Sequence, residues 1–420
     1  MRIAVVGGGV SGLVSAYVLD TRHDVTVYEA DERLGGHTNT VRVEVDGTTH
    51  SVDTGFIVYN ERTYPGFVEM LRHLGVATKP SDMSFSVSDA RTGLEWKGTS
   101  LSTLFAQRRN LVNPAFHRML ADVVRFNRAA RRVATAGTDP DLTLAEFLAS
   151  GRWSPALVDW YLVPLGSAIW SANPRSFGEI PMATFARFFE NHGLLQLGNQ
   201  PRWRTIDGGA VHYVDAIRAR LSTPVRHGIG VEKIVRRRER RTVELRTVNG
   251  ELEEFDHVVV ASHSDQALRL LADPTVAEHE ILSAIRYQPN QATLHTDARL
   301  MPRNRRAWAS WNYHRAREPQ DAATVTYDMN RLQGIRSLRP ILVTLNREDE
   351  IDPASVLGSF SYDHPVFDAA AVRAQHRRDE ISGYRFGVSF AGAYWGYGFH
   401  EDGVQSALHV CRELGVEPPW

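Results

Sequence analysis

Three glycines, an acid and a glycine pair are spaced in the first 40 residues as a dinucleotide site requires. Gly7, Gly9 and Gly12 follow the apolar run Ile3-Ala4-Val5-Val6, and residues 13–19 continue at helical spacing. A second β-branched run, Val25-Thr26-Val27-Tyr28, ends at Glu29. Strand, glycine turn, helix, strand and acid form a complete βαβ unit. Its chemistry is the holding of a pyrophosphate. Gly7 permits the tight turn, Gly9 keeps a Cβ out of the path of the phosphates, and Gly12 lets the helix pack closely on the sheet. Val10 and Ser11 open that helix, whose free N–H groups and positive dipole end suit phosphate. Glu29, followed by Ala30, is placed to accept hydrogen bonds from an adenosine ribose, and its charge would repel a 2′-phosphate.

These residues need carriers. Arg33-Leu34-Gly35-Gly36-His37-Thr38-Asn39-Thr40 leads into an alternating strand, Asp46-Gly47 makes a hairpin turn, and the return strand reaches Asp53-Thr54-Gly55-Phe56. Apolar spacing over 64–75 predicts a helix closed by Gly75. Residues 82–97 alternate as a hairpin does, and 113–136 predicts a long amphipathic helix with Arg118, Arg125, Arg128, Arg131 and Arg132 on its polar face. Thr143-Leu144-Ala145-Glu146 is a capping box, Ser154-Pro155 opens a further helix, Pro164, Pro174 and Pro181 break the chain, and 182–191 is helical again. The stretch from about 100 to 195 thus reads as a helical insert. Beyond it, 225–234 predicts a strand, 236–241 a solvated arginine-rich hairpin tip, and 256–262 a short buried strand. Residues 285–345 alternate aromatic and polar positions as a sheet does, and 404–414 is helical.

The order GxGxxG, acid, RxGGxT, hairpin, DxG resembles the flavin amine oxidase superfamily, which also holds phytoene desaturases and protoporphyrinogen oxidases. Phe390-Ala391-Gly392-Ala393, running on to Gly403-Val404, resembles the closing motif of that superfamily. The resemblance implies an α/β, two-domain fold. A Rossmann-like FAD-binding domain of the amine oxidase/glutathione reductase type would be joined to a discontinuous substrate domain of antiparallel sheet plus helical insert. The FAD-binding domain is expected at 1–80, 201–270 and 381–420, and the substrate domain at 81–200 and 271–380. The cofactor implied is FAD. Arg33, Gly35, Gly36, His37 and Thr38 would lie beside its pyrophosphate and ribityl chain, with Thr54, Gly55 and Phe56 on the adjoining strand. Val231 would touch the adenine, and Gly392, Gly403 and Val404 would straddle the flavin, with a helix N-terminus facing its pyrimidine end. The superfamily usually has arginine where this chain has His37.

Several words resemble one branch more specifically: Gly36-His37-Thr38-Asn39-Thr40, Asn191-His192-Gly193-Leu194-Leu195, Leu294-His295-Thr296-Asp297 and Trp308-Ala309-Ser310-Trp311-Asn312-Tyr313. These resemble FAD-dependent oxidoreductases that accompany cyclopropane-fatty-acid synthases, as bacterial neighbours or plant fusions. That implies hydride transfer between flavin N5 and an unsaturated, methylated or cyclopropanated acyl chain of a lipid. Two alternatives stand beside it: oxidation of an amine or amino acid, and a flavoprotein that supports a synthase-like methyltransferase partner. Many amine oxidases use a lysine in the sheet over the flavin, whereas this chain has only Lys79, Lys97 and Lys233. Tyr394 and Trp395 are the residues available for an aromatic cage around an amine. His295 and His192 are the candidate proton carriers, since imidazole titrates near physiological pH. Tyr59, in the loop expected beside the flavin ring, is a candidate for orienting substrate. Glu401 and Asp402 are expected to cap the last helix.

Composition bounds the rest. With 420 residues, 43% hydrophobic and 23% charged, the chain is ordinary globular protein able to bury sizeable cores. A net charge of −1 argues against nucleic acid as partner. The single cysteine, Cys411, excludes an internal disulfide and offers no thioether near the flavin, so the FAD is expected to be non-covalent and the compartment cytoplasmic. No metal is expected. The basic face of the helix at 113–136 reads first as a solvated face of an arginine-rich protein; the other reading is a surface resting on an anionic membrane, with a peripheral location at its inner face.

Overall fold

The computed structural model describes residues 1–196, 198, 200–318, 320–383 and 387–420. The first apolar run becomes the strand Arg2–Val6 at the heart of a four-stranded parallel sheet, ordered Val388–Phe390, His257–Val260, Arg2–Val6, Asp24–Tyr28. Val6 faces Tyr28 on one side and Val260 on the other, so three distant parts of the chain end together at one edge. A strand covered on both faces must be apolar throughout, which is why Ile3, Ala4 and Val5 are wholly buried. Helices Val10–Leu19 and His400–Glu413 pack together on one face, over a core that includes Leu13, Val14, Val404 and Cys411.

The hairpin Thr40–Val45 and Thr48–Asp53 forms as expected. Its two-residue turn has positive φ at Asp46 (52°) and Gly47 (74°), as a turn matching strand twist needs. A seven-stranded sheet makes the second layer, ordered Val356–Pro365, Tyr287–His295, Leu342–Leu345, Val325–Asp328, Trp311–Arg315, Phe85–Asp89, Leu94–Lys97. All its pairings are antiparallel except Trp311–Arg315 with Phe85–Asp89, which run parallel. Asp53 ties hairpin to sheet. Its carboxylate accepts from Thr40 Oγ1 (2.5 Å), the Ala210 N–H (2.9 Å) and Gln333 Nε2 (2.8 Å).

The helical insert has its own aromatic core, including Phe126, Trp170, Phe177, Phe185, Phe188 and Phe189. Pro164 does not break it. A π turn at Val158–Leu162 feeds directly into the helix Val163–Trp170, so the helical run continues through Pro164. The long helix Pro114–Ala136 buries Asp122 on its arginine face, bonded to Arg118 (3.2 Å) and Arg125 (2.5 Å). Arg131 pairs with Glu190, so three of the five arginines are answered by carboxylates.

One further expectation shifts. The strand expected at 225–234 starts only at Val231 and runs to Arg237, because Gly228 (φ 69°) turns the chain. The arginine run does form the expected solvated hairpin tip, with 237–241 exposed, but its base is anchored: Arg236 pairs with Glu278, Arg237 bonds Glu244 (2.8 Å), and Arg240 bonds Glu254 (2.9 Å).

Candidate functional site

The glycine turn sits where the parallel strands end. Gly7 (φ 111°) must be glycine, since a Cβ there would stand 2.7 Å from the Ala261 carbonyl oxygen. Gly12 must be too: its Cβ would lie 1.8 Å from the carbonyl oxygen of Gly7. Gly9 differs, because a Cβ built on it meets nothing within 4 Å. The protein leaves space over Gly9 that its own packing does not use. Glu29 stands beside the turn, accepting from the Gly8 N–H at 2.6 Å and the Asp31 N–H at 2.9 Å. Val231 follows Gly230, whose missing Cβ would face Ala30, so this segment flanks the acid.

The glycine pair forms the opposite wall. The Gly35 N–H bonds the Gly8 carbonyl at 2.8 Å, and a Cβ on Gly36 would press on Gly9 at 3.2 Å. Arg33 shapes this loop by donating to the carbonyls of Gly36 (2.8 Å) and Thr38 (2.7 Å). Gly55 lies so close to His37 that a Cβ would meet its carbonyl oxygen at 2.2 Å, and the Phe56 N–H bonds that same oxygen. Thr54 Oγ1 lies 2.7 Å from Tyr362 Oη. Gly403 lets the last helix approach the first, with Val10 Cγ1 2.7 Å and Ser11 Oγ 2.9 Å from where its Cβ would be. The N-terminal turns of two helices therefore stand side by side, and their dipoles add. Val404 points away into the core, and Gly392 serves the same junction by donating its N–H to Ser406 Oγ at 3.0 Å.

Around these walls lie residues that sequence reasoning did not single out. His400, the first residue of the last helix, stacks on Phe56 at 3.5 Å and lies 2.9 Å from Thr38 Oγ1, which is itself 2.6 Å from Tyr213 Oη. His37 gathers His364 (5.3 Å), His263 (5.9 Å) and Tyr362 (5.1 Å) around it. Burial, reinforced by the neighbouring imidazoles, holds His37 well below its ordinary value, and burial alone takes His400 down to about 3. The cluster is neutral and poised to meet an anion. No sequence spacing could have found it, because each histidine comes from a different segment.

The candidate proton carriers separate. His295 lies five residues along its strand from Asn290, the partner of Tyr362, which is about 17 Å. Its Nδ1 accepts from the Asp297 N–H (3.0 Å), so Nε2 carries the proton and donates to Thr344 Oγ1 (2.7 Å). Both nitrogens are used in structure, away from the glycine walls. His192 is nearer: its ring stacks on Phe188 (3.9 Å) and lies 6.0 Å from Phe399, the residue before the last helix. Tyr59 is buried against Phe67 (5.4 Å), behind Phe56. Glu401 caps not its own helix but Pro65–Leu74, accepting from the N–H groups of Gly66 and Phe67 at 2.9 Å each. Asp402 does cap its own, through the Phe399 N–H at 2.9 Å.

Known proteins share this fold. A family model described as flavin containing amine oxidoreductase matches residues 10–329. A putative flavin-containing monoamine oxidase from Mycobacterium tuberculosis is 26% identical over 256 residues, 54% of this chain and 52% of that protein. An L-amino-acid oxidase from Pseudechis australis is 55% identical over 47 residues, 11% of this chain and 9% of its own length. The chain thus spans from a tenth to about half the length of these relatives. Among solved structures, a CLA-producing fatty acid isomerase from P. acnes aligns with a TM-score of 0.70 at 16% identity, over 98% of both chains. Cyclohexylamine oxidase from Brevibacterium oxydans aligns with a TM-score of 0.69 at 17% identity, over 99% of both. With the glycine walls in place and three quarters of its length matched, the chain belongs to the flavin-containing amine oxidoreductase family.

Proposed function

We propose that this protein is an oxidoreductase that binds FAD non-covalently and acts on an acyl chain of a lipid. The open space over Gly9 and the paired helix N-termini suit the pyrophosphate, Glu29 suits the adenosine ribose, and Val231 the adenine. When bound, the flavin supplies two-electron chemistry. The chain's own part is to orient a substrate carbon, exclude water and move a proton.

The observation that carries the acyl reading is what stands beside the closing segment. Trp170 donates its indole N–H to the Tyr397 carbonyl (3.2 Å), and Phe188 packs on Tyr397 (5.3 Å) and Phe399 (5.2 Å). A cleft next to them is lined by Phe177, Ile180, Val366 and Phe367 together with the polar Asn173, Ser176, Glu179, Gln288 and Asp368. Its aromatic and aliphatic members suit methylenes. The features an amine would need are turned to other uses. Lys79 pairs with Asp207, Lys97 donates to the Trp308 carbonyl on the outermost strand, and Lys233 donates to the Arg269 carbonyl. Tyr394 and Trp395 form no cage: Tyr394 is buried in the core of the parallel sheet, and Arg378 already lies over Trp395 at 5.3 Å.

His192 is the proton carrier in this reading. Its Nδ1 donates to the Phe188 carbonyl at 2.9 Å, which leaves the Nε2 lone pair available. Burial lowers its pKa to about 4, so the ring is neutral at pH 7.

The test is anaerobic. Cofactor-loaded protein is mixed with unsaturated or cyclopropanated phospholipids, or with amines, while flavin absorbance is followed and recovered acyl chains are analysed by gas chromatography. Bleaching, or a moved double bond without net bleaching, supports the acyl reading. Bleaching by an amine with peroxide release on re-aeration overturns it. No change with either class, together with co-purification of a synthase-like methyltransferase, points to the supporting role.

A further inference from the structure

A basic, partly apolar patch lies on the outer edge of the seven-stranded sheet, away from the glycine walls. Three large apolar side chains stand out there: Leu101 is 77% exposed, Leu111 48% and Val112 83%. Two segments distant in sequence build the patch. The Glu95 carboxylate accepts from the N–H groups of Arg303 (2.8 Å) and Asn304 (2.9 Å), and Asn304 Nδ2 donates to the Ala106 carbonyl (2.7 Å). Asn110 Nδ2 reaches the Glu95 carbonyl at 3.1 Å, which brings 101–112 and 303–306 onto one rigid edge.

The charge is one-signed. Arg108, Arg109, Arg303, Arg305 and Arg306 are exposed, and none forms an ion pair among the described residues. Arg109 spends its hydrogen bonds on neutral oxygens, the Gly93 carbonyl and Gln107 Oε1, so its charge stays unanswered. No Asp or Glu occurs at 96–121 or at 298–317, and Glu95, the nearest, is only 4% exposed. In a chain of net charge −1, this is a local concentration of cations without counter-charge. Arg305 also lies over the half-buried ring of Trp308 at 5.6 Å.

We propose that this edge docks the protein on the surface of an anionic bilayer, with Leu101 and Val112 entering the acyl boundary and the five arginines at headgroup level. Projecting aliphatic tips ringed by guanidinium groups are the pattern of an interfacial contact. Nucleic acid would use the charge but leave the aliphatic tips without a function. Among the described residues no helix is long and apolar enough to cross a membrane. This contact differs from the surface expected on the arginine helix, where Asp122 answers Arg118 and Arg125. The proposal does not depend on the acyl reading, because binding is measured without turnover.

The experiment is co-sedimentation of the cofactor-loaded full chain with phosphatidylglycerol or phosphatidylcholine vesicles, at low and high salt. Binding to phosphatidylglycerol alone, weakened by salt, is expected. Each arginine near an anionic surface contributes about fivefold, so Arg305→Ala with Arg306→Ala should weaken binding about 25-fold. Leu101→Ser with Val112→Ser should abolish the fraction retained at high salt, with flavin content and melting temperature unchanged. Equal binding to both vesicles, no binding, or variants that bind like the parent would overturn the proposal. Tighter binding to duplex DNA than to vesicles would assign the patch to nucleic acid instead.

Discussion

Gly9→Ala and Gly12→Ala, three residues apart around one turn, should fail in opposite ways. A methyl on Gly12 would stand 1.8 Å from the Gly7 oxygen, so the helix must retreat by about 1.5 Å to restore van der Waals distance. Overpacking of this kind costs about 1–3 kcal/mol, and the better helix propensity of alanine returns up to ~1 kcal/mol. Unfolding entropy near 2.1 cal/mol/K per residue gives roughly 0.9 kcal/mol/K for this chain, so the cofactor-free protein should melt about 1–3 °C lower. Gly9 has φ −75° and open space over it, so alanine there is unstrained. Its cofactor-free melting temperature should stay level or rise by under ~1 °C. Its cost should appear on FAD, where losing one charge-assisted bond of about 1.5–3 kcal/mol weakens binding roughly 10- to 150-fold. Differential scanning calorimetry of the cofactor-free proteins and titration of FAD by fluorescence quenching measure both. If Gly9→Ala melts as early as Gly12→Ala, or binds FAD as tightly as the parent, the space over Gly9 is not the pyrophosphate's and the site assignment falls.

Three more outcomes follow from the site. Burial raises Asp53 to about 7, against its donors Thr40 and Ala210, while the unfolded value is 3.8. Its linked stability is therefore full below pH 4 and lost as pH rises through 7, and Asp53→Asn should remove that slope from melting temperatures taken between pH 5 and 8. The cluster of His37, His263 and His364, which also faces His400, Asp265, Asp363 and Arg269, is neutral in the cofactor-free protein, so an anionic diphosphate should draw protons onto it. FAD affinity should then fall as pH rises from 6 to 8, and His37→Arg should flatten the profile; a flat profile in the parent would exclude contact between cluster and phosphate. Glu401→Gln leaves one of the two N–H groups of Gly66 and Phe67 facing an amide nitrogen, which should cost about 1–3 kcal/mol. An unchanged melting temperature would show that the cap contributes nothing.

The βαβ unit, the hairpin and its Asp46-Gly47 turn were legible because glycine conformation and strand alternation are local properties. The same holds for the capping box at Thr143 and Glu146. What could not be read depends on partners far along the chain. Asp122 lies on a face that counts as solvated by periodicity, yet it is buried, because Ser154 donates to it from 32 residues away. Glu401 looks like a cap for the helix it begins, but the helix Pro65–Leu74 lies closer to its carboxylate. His295 carries a chemistry-bearing residue type and spends it on Asp297 and Thr344. Residue type and spacing identify what a side chain can do, and the packing decides whether it is free to do it.

The parallel sheet also dictates a schedule. Its strands are supplied by residues 2–6, 24–28, 257–260 and 388–390, and the helix that flanks the glycine turn is the last in the chain. The first strand must wait for some 250 further residues before it gains its second neighbour and nearly 400 before the sheet is complete. Until then its apolar edge is open, and closing such distant contacts is slow. Cofactor loading therefore belongs after the helix His400–Glu413 has docked. A short deletion at the C-terminus would disarm the first 12 residues as surely as a mutation within them.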